Sequence, residues 1–404
     1  MTAPTTSAGR PGADGTGHVL LLHQASDLYG SDRMLIQIAL ALHEAGAAPI
    51  VVLPEGGLLP GVLAGLGIEA HEVPAARLLK VRRSASGMAA LVRLALAIPS
   101  ALSTLDAVVG IRRIRLVYSN TLAILAGAVW AARRRLPHVW HLHEIVDRPK
   151  LAAWVLKAVA RALAVRWVCN SQATQRWFAA GRPRLLAASP VVLNAAVDQS
   201  GGERSVWGPH FRPCGERWVV GVVGRIVPGK GHAVALQALE MLAQRGCQDV
   251  ALVFIGGPAP GGGQHLQALT QRVARSPVAR HVRFVGELAD TRSAYAEMDI
   301  VCVPSLVPES FGLVAAEAMS AQRPVLAARS GGLPEVVQDG ITGLLHRPGD
   351  ALGLADGLQR LMQQPGLAAR MGHAGRQAYL RQFTPVAMRR SLVQALGSPA
   401  WTPA

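Results

Sequence analysis

The sequence predicts an α/β protein built from two Rossmann-like, doubly wound parallel-sheet domains, and three observations predict it. At 404 residues the chain is longer than one ordinary core organises, and two domains of about 200 residues are the natural division. Half of the residues are apolar and 42 are glycine, which suits a globular fold with many tight strand-to-helix turns. Short apolar runs alternate with helical stretches twice, once on each side of a patternless segment at 199–217.

Residues 1–17 are small and polar and read as a loose leader, without the apolar centre of a secretory signal. The domain 18–198 then opens with HVLLLHQ, a buried strand, and LYGSDRMLIQIALALHEAG, a turn followed by a helix. APIVVLP, IEAHEV, RLVYSN, PHVWHLH, RWVCNS and PVVLN follow as strand candidates. Continuous apolar runs of this kind, separated by helices, argue for a parallel sheet covered on both faces. From Gln199 the Gly-, Pro- and charge-rich stretch to Arg217 reads as a linker.

The second domain, 218–380, restarts with WVVGVVG and the helix HAVALQALEMLAQRG. VALVFIGG, HVRFVGE, DIVCVPS, RPVLAAR and TGLLHR supply its further strands. Residues 381–404 are expected to form a closing helix that packs back toward the first domain, and a tail. Ligands of such sheets bind at the carboxyl ends of the strands, so the chemistry is expected in a cleft between the domains.

The formal charge is +16, from 41 basic and 25 acidic residues. Such a field favours anionic partners, including phosphates and an acidic membrane face. The densest basic stretch, 77–115, carries Arg77, Lys80, Arg82, Arg83, Arg93, Arg112, Arg113 and Arg115 against one acid, Asp106. Arg93, Pro99 and Asp106 interrupt its apolar run, so it does not qualify as a membrane span. A basic amphipathic element on an anionic membrane surface and an ordinary core helix with a solvated rim both fit it. Aromatic residues make up 4% of the chain and do not interleave with the basic ones, which argues against a nucleic-acid partner. Cys169, Cys214, Cys247 and Cys302 form no CxxC pair, so no zinc or redox motif arises, and free thiols suit a reducing cytoplasm.

Gly224-Arg225-Ile226-Val227-Pro228-Gly229-Lys230-Gly231 follows a strand and opens a helix. Glycines there let backbone N–H groups approach an anion, the helix N-terminus adds its dipole, and Arg225 and Lys230 add charge for a diphosphate. The string satisfies most of a nucleotide-triphosphate P-loop, G-x-x-x-x-G-K. Gly231, however, stands where that loop needs a hydroxyl for Mg²⁺, which argues against that enzyme class.

Glu309 and Glu317 stand eight residues apart in PESFGLVAAE, after a strand that ends near Ser305. A helix is expected from about Ser310, placing Glu309 at its entrance and Glu317 two turns in. Eight helical residues span about 12 Å, enough to reach from the sugar of a nucleotide sugar to its ribose. Carboxylates suit sugar hydroxyls because each accepts several hydrogen bonds. Taken singly, Glu309 is also explained by the helix dipole, worth about 0.3–1 kcal/mol, and Glu317 by a solvated face.

Together these blocks resemble glycosyltransferase family 4, retaining enzymes of the GT-B fold. The resemblance rests on the E-x7-E pair Glu309 and Glu317, the loop Gly224 to Gly231, FVGELADTRSAYAEMDIVCVPS at 284–305 and SGGLPEVVQDGITGLL at 330–345. It extends over nearly all of the chain from His18 and is strongest in the second half. It implies that Arg225 and Lys230, with Gly224, Gly231 and Leu313, hold the donor diphosphate. Glu309, Ser310, Phe311 and Gly312 would hold the transferred sugar. Glu317 would bind ribose, and Gly286, Glu287 and Leu288 the base. His141-Leu142-His143-Glu144 resembles the family's His-containing block, with His143 favoured over His141 as the group nearest the reacting sugar. Gly30, Ser31 and Asp32 match its glycine turn on the acceptor side, although Tyr29 replaces the usual first glycine.

The resemblance further implies a metal-independent transferase without a cofactor. A nucleotide-diphosphate sugar would be its co-substrate, and a glycan or lipid-linked molecule its acceptor. A sugar-nucleotide epimerase on the same frame and a non-catalytic nucleotide binder are the competing classes. The E-x-F-G form of the signature argues against the epimerase.

Overall fold

The computed structural model describes residues 17–28, 30–79, 88–146, 150–163, 166–203, 211–212, 216–259 and 262–397. The leader up to Thr16, Tyr29, most of the linker with Cys214, the centre of the basic stretch (Lys80, Arg82, Arg83) and the last seven residues lie outside them.

Two six-stranded sheets form, and every pairing in them is parallel. The first contains β1 (His18–Leu22), β2 (Ala48–Pro54), β3 (Glu69–Val73), β4 (Ile114–Ser119), β5 (His138–Leu142) and β6 (Arg166–Cys169), in the order β3-β2-β1-β4-β5-β6. The second contains β7 (Trp218–Val223), β8 (Val250–Ile255), β9 (Val282–Gly286), β10 (Ile300–Val303), β11 (Val325–Ala328) and β12 (Gly343–His346), in the order β12-β11-β10-β7-β8-β9. The two orders are the same topology repeated. In each sheet the first and fourth strands are neighbours, and the chain winds outward from them in opposite directions. Doubly wound sheets bind ligands beyond the carboxyl ends of strands at such a reversal of strand order.

The strands bury because their runs are apolar on both faces. β8, Val-Ala-Leu-Val-Phe-Ile, is buried at all six positions, as expected for a strand with helices above and below it. Val222, Leu236, Leu252, Phe254, Ile300 and Leu358 belong to the core of the second sheet. Leu20, Val52, Leu102, Val117 and Trp130 belong to that of the first.

PVVLN, expected as a strand, is not one. It contributes a single bridge between Val191 and Cys169, because Pro190 brings no N–H to the ladder. Cys169 and Cys302 are buried free thiols, and burial raises both, Cys169 to about 12.

Helix Met88–Val109 runs on through Pro99. From Ala101 onward its buried face, Ala101, Leu102, Leu105 and Val109, belongs to the core, while Leu96 is exposed. Arg112, on its basic rim, pairs with Glu69 at 2.8 Å. No helix among the described residues is long and apolar enough to cross a membrane.

Residues up to Leu193 together with those from Met388 form one compact unit, and Asn194–Ala387 form the other. Within the first, Arg389 of the helix Pro385–Leu396 pairs with Glu44 at 3.0 Å and donates to Gln37 at 2.8 Å. Within the second, the start of the expected linker is packed chain. The N–H of Gln199 donates to Ser320 Oγ at 2.8 Å, and its side chain accepts from Thr291 at 3.0 Å.

Candidate active site

In the second unit, the loop after β7 and the loop after β10 meet because β7 and β10 are adjacent. Lys230 closes the short helical turn Pro228–Lys230, and Gly231 begins the helix His232–Gln244 behind it. Gly231 has φ +73°, and a Cβ there would lie 1.9 Å from the Pro304 carbonyl oxygen, so glycine alone allows the two loops this contact. The Leu306 N–H donates to the Gly229 carbonyl at 2.9 Å and ties them further.

The closure brings Lys230 Nζ to 2.6 Å from Glu309 Oε1. Ser305 Oγ donates to the same oxygen at 2.5 Å. Burial pushes the Glu309 carboxyl up, but the charge and hydrogen bond of Lys230, the Ser305 hydroxyl and the charge of Arg225 outweigh it and hold the group below the ordinary carboxylate range. Glu309 is therefore an anion at neutral pH. The Glu309 backbone is held too, since its carbonyl accepts from the Gly332 N–H at 2.7 Å. That contact shows what the 330–345 block does: its glycines pack against 309–312.

The helix expected from Ser310 starts later, at Leu313. Gly312 sits at φ +120°, ψ 54°, outside helical space, and Glu309 to Gly312 stay as loop. Glu317 thus lies just over one turn into the helix, not two. Its Oε2 accepts from the buried Tyr295 hydroxyl at 2.9 Å. Phe311 is buried edge-on against Phe383, so its side chain anchors the loop. The Gly286 carbonyl accepts from Gly256 N–H at 2.8 Å, which sets Gly286 to Leu288 at the carboxyl end of β9, two strands from β7. Glu287 Oε1 lies over Gly257, 2.6 Å from where a Cβ of that glycine would stand. The residues expected to hold sugar, diphosphate and base thus follow one another along one sheet edge, in the strand order β10, β7, β8, β9.

The first unit gathers polar groups at the equivalent edge, after β1, β4 and β5. His143 Nε2 is 2.7 Å from Asn120 Oδ1, and Asn120 Nδ2 is 3.2 Å from His23 Nδ1. His23 Nε2 pairs with Asp32 at 2.7 Å, both side chains fully buried. His141 stacks obliquely on His143 with centroids 3.9 Å apart, and its Nδ1 meets the Tyr118 hydroxyl at 2.8 Å. Burial takes the His141 ring down to about 3. Burial and the neighbouring His141 and His23 depress His143 as well. Glu144, next in the chain, accepts hydrogen bonds from the Thr121 hydroxyl and the Leu122 N–H. Burial, partly opposed by those donors, raises its pKa.

Gly30, Ser31 and Asp32 form the first turn of the helix Gly30–Glu44 and not a loop before it. Asp32 points inward to His23, so its carboxylate is not offered to a ligand. His23 and Asn120 join the polar group of the first unit, and Ser305 and Tyr295 the site of the second, without any periodic signal in the sequence. A lone histidine or asparagine after a strand carries no periodicity, although its place at a strand's carboxyl end is a usable hint. Among the described residues no group of three or more His, Cys, Asp or Glu is arranged to hold a metal.

Residues 211–378 match the family model described as glycosyl transferases group 1. D-inositol 3-phosphate glycosyltransferase of Corynebacterium jeikeium is 40% identical over 157 residues, 38% of this chain and 37% of that protein. Its counterpart from Actinosynnema mirum is 42% identical over 160 residues, 37% of each. The matched region is thus well under half the length of these relatives. The crystal structure of Anabaena HepE in complex with UDP and glucose matches with a TM-score of 0.79 and 25% identity, over 94% of this chain and 99% of that one. Sucrose-phosphate synthase of Thermosynechococcus elongatus matches with a TM-score of 0.72 over 94% and 98%, and at 18% identity shares the fold alone. The chain has the two-sheet α/β fold of GT-B glycosyltransferases, and its stretch 211–378 follows the group 1 pattern.

Proposed function

We propose that this protein is a retaining, metal-independent glycosyltransferase that moves a hexose-type sugar from a nucleotide-diphosphate sugar to a glycan or lipid-linked acceptor. The observation that carries the reading is the 2.6 Å contact of Lys230 with Glu309. It sets a phosphate-binding charge and a hydroxyl-binding carboxylate side by side, as a sugar joined to a diphosphate requires. The UDP and glucose named for the HepE complex fit such a donor.

In the reaction, the acceptor oxygen bonds to the anomeric carbon on the face from which the diphosphate departs. The carbon–oxygen bond to phosphate breaks, and the acceptor proton passes to the leaving phosphate oxygen. Arg225, Lys230 and the N-terminus of His232–Gln244 stabilise the charge that grows there. Glu309 positions the sugar through its hydroxyls and forms no bond to carbon. Glu317 binds ribose, and the backbone of Gly286 to Leu288 the base. His143 and His141, with Gly30 and Ser31, belong to the reacting-sugar and acceptor side.

A role in envelope polysaccharide or glycolipid synthesis at the cytoplasmic membrane face accords with the basic stretch 77–115. The names of the C. jeikeium and A. mirum relatives add D-inositol 3-phosphate to the acceptors worth offering.

Thermal shift against UDP, GDP, ADP and TDP and their glucose conjugates tests the donor site. A nucleotide at a hundred times its dissociation constant stabilises by about 2.7 kcal/mol. Stabilisation by one nucleotide, followed by transfer to an added acceptor with retained configuration, supports the proposal. Epimerised donor without transfer replaces it with the isomerase, and stabilisation without turnover of any donor leaves a binding protein.

A further inference from the structure

The buried polar chain of the first unit fixes more than the position of His143. Ser31 contributes a backbone carbonyl, which only accepts, 3.4 Å from Asn120 Nδ2. The Asn120 amide is thereby oriented with its NH₂ toward Ser31 and His23 and its oxygen toward His143. An oxygen needs a donor opposite it, so the His143 nitrogen facing Asn120, Nε2, carries the proton. On the other side, the His23 Nδ1 that accepts from Asn120 is unprotonated, and His23 Nε2 donates its proton to Asp32. Every link agrees in direction, and such chains polarise one another. His143 is left with Nδ1 as a lone pair without a partner, and a buried acceptor left so is destabilising until something donates to it.

We infer that Asp32, His23 and Asn120 are positioning residues that lock His143 as its Nε2–H tautomer, and that Nδ1 receives a hydrogen bond from a sugar-type hydroxyl. A ring so held in its neutral form offers an acceptor, and no proton, at its free nitrogen. The inference rests on the transferase reading for its ligand, but the tautomer stands on geometry alone.

Histidine ¹⁵N NMR of the full chain at pH 7.5, with the signal assigned through His143→Gln, reads the tautomer directly. The proton is expected on Nε2. A proton on Nδ1, or on both nitrogens, overturns the inference whether or not the protein transfers sugar. An Nε2–H ring in a protein that turns over no donor keeps the tautomer and removes the transferase reading. Asn120→Ala should give mixed tautomers and a kcat lower by about 10²-fold with KM for donor little changed. An unchanged tautomer in Asn120→Ala overturns the positioning role, and the wild-type spectrum decides if that variant fails to fold. Addition of UDP-, ADP-, GDP- or TDP-glucose in one arm and D-inositol 3-phosphate in another locates the hydroxyl. A shift of Nδ1 in the first arm assigns it to the donor sugar, in the second to the acceptor, and no shift in either overturns the hydroxyl assignment.

Discussion

Lys230 and Glu309 are 79 residues apart in the chain and 2.6 Å apart in space, Nζ to Oε1. The ion pair belongs to the crossing point of the second sheet, where β7 and β10 run side by side and the loops after them meet. Its energetic value is modest, because both side chains keep some solvent, 31% for Lys230 and 18% for Glu309. Its consequence is positional: a cation and an anion hold each other beyond the carboxyl ends of the two strands, as the proposed donor would require.

Replacing Glu309 by Gln keeps the shape and removes the charge. Turnover should fall by about 10²-fold or more, as for a lost group that acts on the transition state. Binding of the free nucleoside diphosphate should persist or tighten, since a carboxylate repels phosphate. Calorimetry beside steady-state kinetics checks this, and parallel loss of both removes Glu309 from the sugar subsite.

Lys230→Ala takes away the charge-assisted contact to the diphosphate. A bond of that kind is worth about 1.5–3 kcal/mol, so nucleotide affinity should weaken by roughly 10- to 150-fold. The freed Glu309 carboxylate, still largely shielded from solvent, should titrate higher than in the native protein. Unaltered affinity would place the phosphate elsewhere.

Gly231→Ala introduces a Cβ at 1.9 Å from the Pro304 oxygen, at a φ of +73°. The two loops must separate, at a cost of about 2–4 kcal/mol. A lower melting temperature and a weaker nucleotide-induced shift are expected together. A variant as stable as the parent would show that the loops do not need this contact.

Acid should destabilise the fold well before the carboxylates titrate. Burial lowers His138 and His141 from 6.5 to about 3. Below about pH 6.5 the unfolded chain takes up protons that these rings refuse in the fold. Stability is therefore complete above 6.5 and declines as pH drops toward 3. The lowered pKa of Glu309 acts in the same sense below its ordinary 4.5. Urea unfolding at pH 7.5 and 5.5 should show a loss of about 1 kcal/mol for each of the two histidines. An equal or higher midpoint at pH 5.5 would contradict the neutral rings.

The basic stretch 77–115 should carry the full chain up a flotation gradient with anionic vesicles at low salt. The interaction should fade as ionic strength rises, because screening shortens its reach. Failure to float at low salt removes the membrane surface from the list of partners.

Much of the fold was readable in the chain. Apolar runs mark the inner strands, because a strand buried on both faces must be apolar throughout, whereas the edge strands β3, β6 and β9 keep polar or half-exposed positions. PVVLN shows the limit, since an apolar run that begins with proline pairs with Cys169 only as a single bridge. Glu309, Glu317 and the loop 224–231 were visible as residue types at suggestive spacing. The late helix start at Leu313 was not, because it depends on the backbone angle of Gly312.

Local order in the sequence determined which segments would be strands, where glycine and charge would sit at their ends, and what kind of ligand such ends prefer. Tertiary structure decided which of those ends are neighbours. Strand order is set by long-range packing, and no run of residues encodes its partner across the sheet. Only the adjacency of β7 with β10 joins Lys230 to Glu309, and only that of β1 with β4 and of β4 with β5 joins His23, through Asn120, to His143.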